Sequence, residues 1–99
     1  MEKEIVFSKR FLRHIDKLTE YLLKEWNERV VLEMFSKLDK RINDIRKNPS
    51  LGQPSVKFTG VRSLLVKPYQ RIYYREKKNV ITILALIDNR KNHQKNPYK

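Results

Sequence analysis

The sequence predicts an α+β fold: an N-terminal strand, a two-helix hairpin, then a three-stranded antiparallel meander, forming one sheet with the helices on one face. Three observations carry this expectation. Apolar residues recur at spacings of three and four through the first half of the chain; a Pro/Gly cluster interrupts them between residues 49 and 54; and after Gly60 the pattern becomes that of strands. At 99 residues the chain is long enough for one core and too short for two, so residues 1–99 are read as a single domain.

The segment "EIVF" at 4–7 is a short β-type run ending at Ser8, a good N-cap residue, so the first helix is expected to start there. Phe11, Ile15, Leu18 and Leu22 then follow at helical spacing, with Leu12, Leu23 and Trp26 widening the stripe, and Asn27 interrupts it. A second stripe of Val31, Phe35, Leu38, Ile42 and Ile45 runs to "RKNPSLGQPS", whose Pro49, Gly52 and Pro54 end the helix and make a loop. The two stripes predict an αα-hairpin. A coiled-coil seam would need a longer repeat than these roughly two to three heptads, so packing onto a core is preferred. Glu20, Glu25, Glu28, Glu33, Asp39 and Asp44 mix with lysines and arginines on the remaining faces, as on a solvated surface.

The runs "VRSLLV", "QRIYYRE" and "VITILALI" are separated by "KPY" and "KKN" and read as a meander with tight turns. The third is apolar on both faces and should be central. In the second, Arg71, Tyr73 and Arg75 alternate with Ile72 and Tyr74, which gives one face cations around an aromatic ring and turns the other inward. With the helices on one side, the opposite side is expected to carry Arg62, Arg71, Arg75 and the C-terminal tail.

Composition sets the function classes. Hydrophobic residues make up 39% and charged ones 34%, enough for a packed interior, and there is no cysteine, which removes disulfide and thiolate-metal chemistry and fits a reducing, cytoplasmic setting. The start "MEKEIVFSKR" lacks the apolar stretch of a secretory signal, and "VITILALI" is far shorter than the ~20 residues of a membrane-spanning helix, so no membrane role is expected. Net charge is +12, unevenly spread: residues 1–50 hold 12 Lys/Arg against 9 Asp/Glu, and residues 51–99 hold 11 against 2. The second half is therefore the expected footprint for a polyanion, nucleic acid or ribosome first, an acidic protein second.

Glycine occurs only at 52 and 60, so no phosphate-cradling loop is available, and no His/carboxylate spacing marks a metal site; no cofactor is expected. His14 reads most simply as a surface residue. What remains is a cluster of cations with tyrosines: Arg62, Arg71, Tyr73, Arg75, Arg90, His93 and Tyr98, with Lys91 and Lys95 beside them in the tail. Arginine forks grip phosphate oxygens and aromatic rings stack on unpaired bases, which suits single-stranded RNA. Cleavage is the sharper alternative to binding alone. There His93 or Tyr98 would handle protons, and Arg71 with Arg90 would stabilise the crowded phosphorane. A tail from Asp88 that is merely solvated and frayed is the simpler alternative.

The element order, together with "NPSLGQP", "GVRSLLV", "YQRIYYRE" and "ILALIDNRKN", resembles the RelE/ParE superfamily of type II toxin–antitoxin toxins over nearly the whole chain. The most specific pieces are "RIYYR" and "DNRKN". The resemblance implies a growth-inhibiting toxin neutralised by an acidic antitoxin. Its target would be mRNA in the ribosomal A site, as for RelE-like endoribonucleases, or DNA gyrase, as for ParE-like members, with a non-catalytic nucleic-acid-binding relative as a third possibility. Arg71 then matches the arginine opening the strand motif and Arg90 the arginine after the last strand. Tyr98 lies near a terminal tyrosine or histidine of RelE-like toxins. The match departs from the family in two places: the second strand offers only Arg62, and His93 stands where relatives with "DNRQNP" have proline.

Overall fold

The computed structural model describes residues 3–90 and 96–98. Strand β1 (Glu4–Phe7) leads into helices α1 (Lys9–Glu25) and α2 (Glu28–Lys47); a 3-10 turn (Pro49–Leu51) and the two-residue β2 (Gln53–Pro54) precede β3 (Val61–Val66), β4 (Gln70–Lys77) and β5 (Val80–Asp88). The expected α+β architecture and the β3–β4–β5 meander are present, but the sheet is mixed. Its order is β1-β5-β4-β3-β2, with β1 parallel to β5 and every other pair antiparallel. Parallel pairing demands a long crossover, which the helical hairpin supplies. β5 thus has a strand on each side, in keeping with its apolar composition.

Local signals set the helix ends. Ser8 Oγ accepts the Phe11 N–H at 3.0 Å and donates to the Leu84 carbonyl at 2.8 Å, so one hydroxyl caps α1 and ties it to β5. Asn27, which breaks the apolar stripe, caps α2 by accepting the Val30 N–H at 3.1 Å. The core joins Phe11, Leu38, Ile42 and Ile45 from the helices to Leu64, Val66, Ile72, Tyr74, Ile81, Ile83 and Leu86 from the sheet. Phe35, expected inside, is 40% exposed, although Val31 one turn earlier on α2 is buried.

The loop after α2 is organised around one phenol. Tyr74 is fully buried; its hydroxyl donates to the Pro49 carbonyl at 2.7 Å and accepts the Gly52 N–H at 2.8 Å. Burial raises its pKa above the usual 10, so it remains a neutral donor. A β-carbon at Gly52 would lie 2.5 Å from that hydroxyl oxygen, so the position admits only glycine without displacement.

His14 is not the surface residue expected. Beyond Ile83, β1 no longer pairs with β5, and α1 side chains take over: His14 Nδ1 accepts the Leu86 N–H at 3.1 Å. The ring must be neutral at Nδ1 to accept, and burial, then the neighbouring Arg10, Arg13 and Lys17, lower its pKa below 6.5. Between the folded and unfolded values the unfolded chain binds more protons, so His14 contributes stability above about pH 6.5 that is lost as the pH falls toward its folded pKa. Urea midpoints measured from pH 7.5 to 5 are expected to fall in that window. His14→Gln, which keeps an acceptor but does not titrate, should flatten the profile.

Candidate nucleic-acid interface

The sheet face away from the helices carries Arg71, Tyr73 and Arg75 of β4, as the alternation requires. Arg71 is held by Ser63 Oγ, which accepts from Nε at 3.1 Å, and by Gln53 Oε1, which accepts from Nη2 at 3.3 Å. Arg75 has no hydrogen-bonded partner among the described residues. Tyr73 does not present its ring outward. It is 3% exposed, packed with Val61 and Ala85 and covered by Tyr98, whose ring stacks on it with centroids 4.9 Å apart. Tyr98 is therefore the outer ring of the pair, and Tyr73 the support beneath.

Four further contacts involve Asn96 and Tyr98. Asn96 Nδ2 donates to the Tyr73 hydroxyl at 3.1 Å while Asn96 Oδ1 accepts the Tyr98 N–H at 2.9 Å. Phe58 meets the Tyr98 ring edge-on at 5.9 Å, and Arg10 Nη1 donates to the Tyr98 hydroxyl at 3.1 Å. A bulge in β5 makes this possible: Tyr73 pairs with Ala85 and Tyr74 with Ile83, so Leu84 is the extra residue and Ala85 lies beneath the tyrosines instead of facing the helices.

Arg62 is on the other face. Its cross-strand partner is Tyr74, not Tyr73 or Arg75, and directly opposed residues share a face. Its guanidinium donates to the Gly52 carbonyl at 2.8 Å and the Ser50 carbonyl at 3.3 Å, which makes it a brace for the loop. The expectation of Arg62 beside Arg71 fails on register alone.

Arg90 is held by a different set of partners from Arg71. Asp88 accepts from Arg90 Nε at 3.2 Å, Nη2 at 2.8 Å and the backbone N–H at 2.8 Å, and the guanidinium stacks 3.8 Å over the Tyr69 ring. The Asp88 hydrogen bond raises the Arg90 pKa, keeping it a fixed cation. It lines a cleft of about 940 Å³ between the helices and the ends of β4 and β5, where Arg10, Lys17, Lys37, Tyr21 and Trp26 also appear. The acids of the second half, Glu76 and Asp88, are paired with Lys3 and Arg90 respectively. Lys91, His93 and Lys95 lie outside the described residues.

Sequence reading missed Arg10, Phe58, Ser63 and Gln53, all brought to the site by tertiary contact. Among the described residues no group of three or more His, Asp or Glu could hold a metal ion, and no helix is long and apolar enough to cross a membrane.

Residues 5–93 match the family model described as the ParE toxin of type II toxin–antitoxin system, parDE. The chain belongs to this toxin family. Among solved structures, the toxin resembles a chain of the chromosomal ParDE system from P. aeruginosa (TM-score 0.74, 13% identity, covering 88% of this chain and 96% of that one). It also resembles a chain of the E. coli DinJ-YafQ toxin–antitoxin complex (TM-score 0.66, 14% identity, 91% and 96% covered) and the YoeB dimer from Staphylococcus aureus (TM-score 0.60, 22% identity, 86% and 94% covered). At these identities the likeness establishes the shared fold, within the RelE/ParE superfamily. No curated protein matches the toxin in sequence.

Proposed function

We propose that this toxin arrests growth by ribosome-dependent cleavage of mRNA, with the outer sheet face as the RNA-contacting surface. The observation that carries the reading is Tyr98, stacked on Tyr73 between Arg71 and Arg75 along β4, with its hydroxyl on Arg10. That arrangement supplies cations for phosphate, an aromatic platform for a base, and a phenol for proton transfer. An acidic antitoxin is the proposed partner. Complexes such as DinJ-YafQ among the structural neighbours support it, and the cleft's apolar walls with Arg10, Lys17, Lys37 and Arg90 offer the complementary charge.

One observation favours gyrase poisoning as a second reading. Arg71 and Arg90 are held by different partners, and among the described residues no histidine or carboxylate is hydrogen-bonded to Arg71, Tyr73 or Tyr98. Induced expression in bacteria separates the two. Growth arrest with site-specific breaks in a reporter mRNA by primer extension is the expected result. Intact mRNA with lost plasmid supercoiling or trapped DNA breaks selects the gyrase reading, and normal growth at good soluble expression overturns both.

A further inference from the structure

We propose that Arg10, on the first turn of α1, is a positioning residue that aims the Tyr98 phenol at the RNA backbone; the proposal rests on the mRNA-cleavage reading above. A guanidinium has donors only, so in the 3.1 Å contact with Arg10 Nη1 the phenol oxygen is the acceptor. The phenol's own hydrogen is then its one remaining donor, and among the described residues no group accepts it. It is left for a ligand.

The rest of the geometry fixes where that hydrogen sits. Tyr98 belongs to a tail that would ordinarily fray, yet its ring is clamped between the Tyr73 face and the Phe58 edge, and its backbone N–H is tied to Asn96. Arg10 comes from a rigid element, because Ser8 anchors the start of α1 to Leu84 of β5. The guanidinium carbon lies 6.0 Å from the Tyr98 ring centroid, at the edge of cation–π range, so the hydroxyl contact is the directional one. Arg10 therefore sets the rotation of the phenol O–H without touching the scissile bond.

In the cleavage step the 2′-oxygen forms a bond to phosphorus and its proton passes to a water molecule. The bond from phosphorus to the 5′-oxygen breaks, and that oxygen takes the proton of Tyr98. The products are a 2′,3′-cyclic phosphate, a 5′-hydroxyl and a Tyr98 phenolate, whose charge faces Arg10 until a proton returns from solvent.

The test is single-turnover cleavage of end-labelled mRNA on programmed ribosomes by the wild type, Arg10→Ala, Arg10→Lys, Tyr98→Phe and the Arg10→Ala/Tyr98→Phe double variant. Arg10 is exposed and Phe preserves the stack on Tyr73, so all are expected to fold, which circular dichroism checks. Loss of a properly aimed catalytic group commonly costs on the order of 10²-fold. Arg10→Ala is expected to lose about that in the cleavage rate with ribosome affinity unchanged. Arg10→Lys should recover part of it, and the double variant should be no slower than Tyr98→Phe alone. Wild-type rates in Arg10→Ala, or losses that multiply in the double variant, overturn the positioning role while leaving mRNA cleavage standing. No cleavage by the wild type overturns the cleavage reading and the proposal with it.

Discussion

Arg71→Ala is expected to abolish growth inhibition while leaving a folded protein that still binds its antitoxin. The side chain is half-buried on the outer face and held by Ser63 and Gln53, so its guanidinium is oriented before any ligand arrives. Removing one donor to a developing oxyanion commonly lowers a rate by ~10²–10³. The cost to stability should be far smaller. Two hydrogen bonds from the guanidinium to neutral partners are lost at a site that water can reach, for roughly 1 kcal/mol. Growth curves after induction, melting by circular dichroism and antitoxin pull-down separate these quantities. Arg90→Ala is the informative contrast, since Arg90 stacks on Tyr69 and lines the cleft. It is expected to weaken antitoxin binding more than it slows cleavage.

Gly52→Ala is expected to be the most damaging small substitution in the fold. The added β-carbon would meet the Tyr74 hydroxyl oxygen at 2.5 Å, its Cε1 at 2.8 Å and the Ser63 carbonyl at 3.0 Å. Tyr74 is fully buried among core residues and cannot swing away, so the loop must move. Movement breaks the Gly52 N–H bond to Tyr74 and disturbs the Gly52 carbonyl that Arg62 holds. Overpacking plus a lost buried hydrogen bond is expected to cost about 3 kcal/mol. Tyr74→Phe, which opens no clash, should cost about 1–3 kcal/mol by leaving the Gly52 N–H and Pro49 carbonyl without their partner. Denaturant melts of both variants check the order; an unchanged Gly52→Ala midpoint would mean the loop is not pinned as described.

Much of the scaffold was legible because it follows from periodicity and capping. Phe11, Leu22, Leu38 and Ile45 are buried at helical spacing, and Ser8 and Asn27 cap as their side chains allow. Pairing was less legible. Nothing in "EIVF" reveals that it lies parallel to "VITI", because alternation gives faces and not neighbours. The bulge at Leu84 was hidden inside a run apolar at nearly every position, where a slipped register changes no visible pattern. Arg62 shares the face of Tyr74, its cross-strand partner, a pairing that "VRSLLV" alone does not reveal. His14 carried a usable signal: it lies three residues after Phe11 and four before Leu18, on the flank of the buried stripe, where a polar side chain reaches the edge of the sheet.

The candidate site was legible as a composition and not as a geometry. Arginines and tyrosines were visible in "RIYYR" and the tail, but which tyrosine faces outward depends on Tyr98 folding back over Tyr73. That contact spans the last strand and the tail together, and Arg10 joins it from the opposite end of the chain. Local sequence carries no trace of either.

The central claim is that the outer face cuts ribosome-bound mRNA, and in vitro cleavage tests it most directly. The purified toxin is mixed with end-labelled mRNA on programmed ribosomes, with the same RNA free in solution beside it, and with Arg71→Ala in parallel. The predicted result is discrete breaks at the ribosomal A site with the wild type, none in free RNA, and at least a ~10²-fold slower reaction with Arg71→Ala. Intact mRNA on the ribosome, under conditions where the same preparation blocks DNA supercoiling by gyrase, would contradict it.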